Sequence, residues 1–283
     1  MKKILIIGAS GFVGSYLYDH LSSNNNYEVL GTCNNNKKKY LKYLNYTDNK
    51  IFSDFLQSYN PEIIIWSAGE KDLNKTEKDE LFEISQNTEP IKIINKFISK
   101  IKNQNLYFIF ISSDYVFSGR KGNYLPSDIP EPNTKYGKSK YFSEIEIIRS
   151  VKNHCILRVG GLLGKGGSFF DWITSEISQE NKIELNDEFF SPTPILTICQ
   201  AIARCIDRKL IGIFHLSGNE RISKIQLGNK IKNCYSNNRS ILTKKRSVGN
   251  SHLKDRSLII SKEFEKLYDL KAFVKSIKND KIL

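Results

Sequence analysis

The chain opens on an apolar run, Ile4-Leu5-Ile6-Ile7, that Gly8 cuts short. Its length and β-branched content predict a buried parallel strand from Lys3 to Ile7. Phe12, Val13, Leu17 and Leu21 then recur at helical spacing, and Tyr27 to Thr32 reads as a second strand. The polar stretch Cys33 to Tyr40 predicts a surface loop. Pro61 stands just ahead of Ile63-Ile64-Ile65-Trp66, another buried strand. From about Glu77 to Ile101 a helical period is carried by Leu81, Ile84, Ile91, Ile94, Phe97, Ile98 and Ile101. Leu106 to Ser112 is an apolar strand, Ser118 to Asn133 a loop rich in Gly, Pro and Asp, Thr134 to Val151 a helix, and Cys155 to Val159 a strand.

This alternation predicts an α/β fold: a doubly wound parallel sheet with helices on both faces. After Gly160 the pattern loosens. A turn is expected at Gly164 to Gly167, helices over Phe169 to Ile177 and within Pro192 to Ile206, and a strand over Ile211 to Leu216. We therefore expect a nucleotide-binding domain over 1–160 and a smaller C-terminal substrate lobe over 161–283, the two interleaved. The length of 283 residues suffices to bury such a core.

Composition narrows the classes. No apolar stretch reaches the roughly 18 residues of a membrane span, and the run before Gly8 is too short for a signal peptide. A cytoplasmic location with no membrane partner is the expectation. Five scattered cysteines without a C-x-x-C pair predict reduced thiols, and four dispersed histidines predict no metal site. The net charge of +13 comes from lysines spread along the chain, apart from Lys37-Lys38-Lys39. Compositional bias accounts for it first, attraction of an anionic diphosphate ligand second, and nucleic acid, which we do not expect as a partner, a distant third.

The first strand runs into Gly8-Ala9-Ser10-Gly11-Phe12-Val13-Gly14, a G-x-x-G-x-x-G turn. Glycines at this spacing also suit a plain tight turn. Placement between the first strand and first helix favours a pyrophosphate, because bare backbone and a helix N-terminus suit an anion. The fold expected is thus of Rossmann type, with Gly8, Ser10, Gly11, Phe12, Val13 and Gly14 at the cofactor. A reader of NAD usually ends its second strand on a carboxylate that bonds the ribose 2′-hydroxyl. Between Glu28 and Asp48 there is no acidic residue, whereas Asn34 and Lys37 can meet a 2′-phosphate. NADP(H) is therefore preferred, with NAD(H) left open.

Tyr136 and Lys140 form Y-x-x-x-K, and residues four apart share a helix face. A nearby ammonium is expected to draw the phenol pKa down toward the working pH, and Lys140 can also hold the nicotinamide ribose. Ser112-Ser113-Asp114 abruptly ends an apolar strand at the carboxyl edge of the sheet, where ligands bind in such folds. Ser113 there can donate to a carbonyl oxygen as charge develops on it.

As an ordered set these motifs resemble the extended short-chain dehydrogenase/reductase family, and within it the dTDP-4-dehydrorhamnose reductase (RmlD-like) branch. The resemblance is carried by Ser112 to Gly119, Pro132 to Lys140, Ser67-Ala68-Gly69, Asn87-Thr88, Leu157-Arg158, Phe190 to Thr193 and Gly212 to Gly218, with an echo at Asp255 to Leu258. It implies Ser113, Tyr136 and Lys140 as the catalytic set. It implies cofactor contacts at Asn45, Ser67, Ala68, Gly69 and Asn87, and substrate contacts at Asp114, Tyr115 and Arg256. The activity implied is NADPH-dependent reduction of a keto group on a nucleotide-activated deoxysugar, in dTDP-rhamnose or other cell-surface polysaccharide precursor synthesis, with a homodimer left open. The stretch Val159 to Gly164 lacks the aromatic that the branch often carries after Leu157-Arg158, and Ser15-Tyr16 replace a glutamate linked to metal in some members. Two alternatives are a non-catalytic NADP-binding regulator resembling the regulatory subunit of methionine adenosyltransferase, and an epimerase or dehydratase of the same superfamily. Dehydratases usually follow the catalytic Ser/Thr with Asp-Glu, unlike Asp114-Tyr115 here.

Overall fold

The computed structural model describes residues 1–34, 38–69, 77–78, 84–100, 105–235, 238–244, 254–267 and 269–278. They form two compact units. The first comprises Met1–Val116, Pro130–Arg158 and Ala201–Phe214; the second comprises Phe117–Ile129, Val159–Gln200 and His215–Leu283.

The first unit is built in βα order. Strand β1 (Lys2–Ile7) leads into helix α1 (Phe12–Ser22), followed by β2 (Tyr27–Cys33) and a two-residue β3 (Lys42–Tyr43). Helix α2 (Asn49–Tyr59), β4 (Ile63–Trp66), α3 (Glu89–Lys100) and β5 (Tyr107–Ser113) come next. Then follow α4 (Lys135–Ser150) and β6 (His154–Val159). A strand further on, Gly212–Leu216, completes a seven-stranded sheet at the free side of β6. From that edge the order is Gly212–Leu216, β6, β5, β4, β1, β2, β3, and the ladders from β5 through to β3 are parallel.

The chain thus starts in the middle and winds outward twice, switching direction between β1 and β4. The carboxyl ends of those strands splay into opposite connections, which opens a crevice there. This is the expected Rossmann-type α/β architecture. Its core is the apolar run of each strand, Leu5, Ile7, Ile64, Trp66, Phe108, Phe110 and Ile156, packed with Phe52, Ile91, Ile94 and Phe97 from the helices.

Three features were not anticipated. Helix α2 is signalled by Asp48, whose carboxylate caps the amides of Lys50 and Ile51, and by the buried pair Phe52 and Leu56. Strand β3 is only two residues long and shows no periodicity to read. The helix expected from Glu77 is interrupted: Ile84–Thr88 forms a π-helical turn ahead of α3. Pro90 explains the break, because it has no amide to close the regular helical bond to Gln86. Leu81 and Ile101 of that expectation lie outside the described residues.

The second unit carries β7 (Leu162–Leu163), α5 (Ser168–Ser178), β8 (Lys182–Leu185), β9 (Phe189–Phe190) and β10 (Thr193–Pro194). Helix α6 (Ile195–Arg208) then leads into β11, the strand Gly212–Leu216 described above. After it come β12 (Ile222–Ser223), α7 (Lys224–Lys232), β13 (Ile241–Lys244) and α8 (Leu270–Lys278). Short two-stranded pairings, β10 with β7, β12 with β9 and β13 with β8, replace a continuous sheet. A separate core, including Phe170, Ile173, Ile183, Leu227, Leu270 and Phe273, holds this unit. Among the described residues no helix is long and apolar enough to cross a membrane.

Phe108 is fully buried near the start of β5. Phe108→Ala is expected to lower unfolding free energy by about 3–5 kcal/mol, read as a fall in the urea midpoint.

Candidate active site

Gly8 ends β1 with φ +88°, and its carbonyl accepts from the Gly11 amide at 3.0 Å, which closes the turn. The glycines are demanded by space. A Cβ on Gly8 would meet Ala68 at 2.8 Å, and one on Gly14 would stand 2.1 Å from the Gly8 carbonyl oxygen. Ala68 follows β4, so the close approach lies across the switch between β1 and β4. Helix α1 starts at Gly11 with no side-chain cap and no acid in its first turn. Its positive end is therefore left to an external anion. Ser10 precedes that end, and Phe12 and Val13 form its first turn.

The remaining cofactor candidates divide. Ser67 donates its hydroxyl to the Ile7 carbonyl at 2.8 Å, pinning β4 to β1. Gly69 has φ +120°, and a Cβ there would stand 2.0 Å from Asn87 Oδ1. The π turn before α3 thus seats the buried Asn87 against the loop after β4. Asn45 builds its own turn: its Oδ1 accepts from the Thr47 amide at 3.1 Å and from the Thr47 hydroxyl at 2.7 Å. Asn34 directly follows β2, and Lys37 lies outside the described residues.

At the other end of the crevice, β5 delivers Ser113 into a 3₁₀ turn, Asp114–Val116. The Ser113 hydroxyl donates to Asp114 Oδ1 at 3.0 Å and accepts from the Tyr115 amide at 3.2 Å. Helix α4 begins one residue before Tyr136, with the Thr134 hydroxyl accepting from the Gly137 amide at 3.0 Å. Gly137 then lets the helix touch the turn, since a Cβ there would sit 2.1 Å from the Tyr115 carbonyl oxygen. The outcome is a tight group. The rings of Tyr115 and Tyr136 meet edge-on at 5.7 Å, and Tyr136 shares a side-chain hydrogen bond with Ser113. The ammonium of Lys140 is buried 3.3 Å from the Ile111 carbonyl oxygen, 4.9 Å from the Phe110 ring and 5.9 Å from the Tyr136 ring.

One expectation is corrected by this geometry. The Tyr136 phenol is held above its ordinary pKa, not drawn below it. Burial is the largest cause, the Asp114 carboxylate adds to it, and the bond with Ser113 opposes both. Desolvation of the phenolate outweighs the other influences on this phenol.

Of the expected substrate residues, Asp114 and Tyr115 stand in this group. Arg256 belongs to the second unit, where it is buried, its amide donates to the Phe189 carbonyl at 2.9 Å, and its side chain lies along Gly119. Next to it Asp255 is clamped by Arg221 at 2.7 Å. Among the described residues no cluster of His, Cys, Asp or Glu could hold a metal ion. Sequence reasoning started the helix at Thr134 and included Gly137 in the motif from Pro132 to Lys140, but gave neither the capping role nor the close approach that they have here.

The family model described as the RmlD substrate binding domain matches residues 1–254. The chain belongs to this family. Similar curated relatives of this family member include methionine adenosyltransferase 2 subunit beta of Danio rerio, 28% identical over 238 residues, spanning 80% of this chain and 72% of the relative. The spore coat polysaccharide biosynthesis protein SpsK of Bacillus subtilis is 28% identical over 227 residues, 77% of this chain and 74% of SpsK. Among solved structures, a hypothetical dTDP-4-dehydrorhamnose reductase from Sulfolobus tokodaii superimposes with a TM-score of 0.85 at 29% identity, covering 95% of this chain and 96% of that one. The dTDP-4-dehydrorhamnose reductase of Bacillus anthracis, solved with NADP, shares the fold, with a TM-score of 0.82 at 22% identity over 99% of this chain and 98% of that one.

A raised phenol pKa sets a pH dependence. The unfolded chain ionises tyrosine near pH 10, while Tyr136 keeps its proton to higher pH, as do Tyr27 and Tyr59, each raised to about 12 mainly by burial. The folded state then binds more protons than the unfolded state above pH 10, so stability is expected to fall as pH rises through that range. Denaturant midpoints between pH 8 and 11 check this, and Tyr136→Phe should flatten the slope.

Proposed function

We propose that the chain binds NADP(H) and reduces a keto group on a nucleotide-activated deoxysugar, as an oxidoreductase in the supply of polysaccharide precursors. The single observation that carries this reading is the joining of Ser113, Tyr136 and Lys140 on one edge of the sheet that also presents the glycine turn. Two elements far apart in sequence, β5 and α4, supply that group.

The glycine turn and the uncapped end of α1 fit a dinucleotide pyrophosphate, because a Cβ at Gly8 or Gly14 would close the backbone cradle. Asn34 stands where a carboxylate would reject a 2′-phosphate. When bound, the nicotinamide supplies hydride to the substrate carbonyl carbon. Tyr136 supplies the proton to the carbonyl oxygen; a phenol is protonated at neutral pH and can act as the acid. The Ser113 hydroxyl, which donates to Asp114 in this structure, would turn its proton to the developing oxyanion. Lys140 holds the ribose and supplies positive charge below the phenol. We further propose that the first unit holds the cofactor, with Asp114 and Tyr115 as substrate contacts.

A second reading is favoured by the curated relatives named as methionine adenosyltransferase subunit beta: an NADP-binding partner without turnover. Turnover separates the two. NADPH oxidation is expected against at least one member of a panel of nucleotide 4-keto-hexoses, more slowly with NADH. Tyr136→Phe is expected to reduce kcat by about 100-fold or more with NADPH affinity within about twofold, because the phenol acts on the transferred proton. Cofactor binding with no oxidation on any panel member would sink the enzyme reading.

A further inference from the structure

Directly behind the proposed catalytic group, and resting on that reading, lies a buried charged triad. The Glu144 carboxylate accepts from Arg158 Nη2 at 2.8 Å and from Arg158 Nε at 3.1 and 3.2 Å. It also accepts from the Ser112 hydroxyl at 2.5 Å. The side chains of Glu144 and Arg158 are 1% and 2% exposed, and Ser112 is 2% exposed. Each belongs to a different element: Ser112 to β5, Glu144 to α4 and Arg158 to β6.

Stability does not explain such an arrangement. Two charges taken out of water lose several kcal/mol of hydration each, and apolar residues of similar volume often hold a fold equally well or better. What the triad adds is direction. Apolar packing lets a helix slide and rotate against a sheet at small cost, whereas short hydrogen bonds of fixed geometry do not. The anchored atoms sit beside the chemistry. Ser112 immediately precedes Ser113, and Glu144 lies one helical turn beyond Lys140 and two beyond Tyr136. Arg158 also keeps Glu144 turned toward β6, so its carboxylate is held by Arg158 and Ser112.

We propose that Ser112, Glu144 and Arg158 are positioning residues that hold α4 in register with the tip of β5, and so set the spacing between the Ser113 hydroxyl and the Tyr136 phenol. The triad touches neither substrate nor cofactor.

The test separates position from stability. In Glu144→Met/Arg158→Met both charges go together, and thermal stability is expected to stay at or above the parent's. The kcat for keto-sugar reduction is nevertheless expected to fall about 10- to 100-fold, with NADPH affinity within about twofold. A second readout needs no turnover: ¹⁹F NMR of 3-fluorotyrosine at position 136. Its resonance is expected to move toward the position it takes in Ser113→Ala. Should the double variant not fold, Ser112→Ala removes one bond and no charge, and is expected to displace the line in the same direction. Ser112→Thr, which keeps the hydroxyl, is expected to restore it. A folded variant with parental kcat, or a fluorine line unmoved from the parent's, overturns the proposal. A parent that turns over no keto-sugar nucleotide sinks the reductase reading instead, and the fluorine line still decides the positioning role.

Discussion

Gly137 has room for a hydrogen and nothing larger, because the Tyr115 carbonyl oxygen occupies the place of its Cβ. That contact is the constraint on which the site depends. It lets the first turn of α4 press on the 3₁₀ turn after β5, and only at that separation can Tyr136 reach the Ser113 hydroxyl. Around it the chain adds directional bonds. Thr134 caps the helix start, Ser143 on the same helix donates to the Asn87 carbonyl at 3.1 Å, and Glu144 joins the sheet through Ser112 and Arg158. The helix that carries Tyr136 and Lys140 is thus tied on several sides by polar contacts, in a region where apolar packing alone would leave its register loose.

At Tyr136 desolvation also acts on protonation. Desolvation and the Asp114 charge keep the Tyr136 proton on, while the Ser113 bond eases it off. A protonated phenol suits a proton donor in carbonyl reduction. The glycine turn at the other end of the crevice works by the opposite means. It removes side chains so that backbone amides and the α1 dipole face an anion directly. Between the two, the switch in strand order at β1 and β4 supplies the opening that an uninterrupted winding would not.

The residue pattern made the first unit largely legible. Fully buried parallel strands are short apolar runs, and each of β1, β4 and β5 could be seen because both faces are covered. The glycine turn and the Tyr136–Lys140 spacing were legible for a related reason: close approach and a shared helix face leave marks only a few residues long. Helix α2 escaped notice although Asp48 and the Phe52–Leu56 pair announce it, and the break before α3 escaped notice although Pro90 stands there. After Gly160 the helices over Phe169 to Ile177 and within Pro192 to Ile206 and the strand over Ile211 to Leu216 were legible, whereas the two-residue pairings, such as β7 with β10, are too short to establish a period.

By itself, then, the order of residues determined the α/β winding, the glycine turn after β1 and the shared helix face of Tyr136 and Lys140, since each depends on local geometry or on burial of a short run. Tertiary structure alone decided the sign of the Tyr136 pKa shift and the meeting of Glu144 with Arg158 and Ser112. Those outcomes depend on what lies opposite in space. Desolvation, and the partner that a buried charge finds, are set by residues brought from distant parts of the chain.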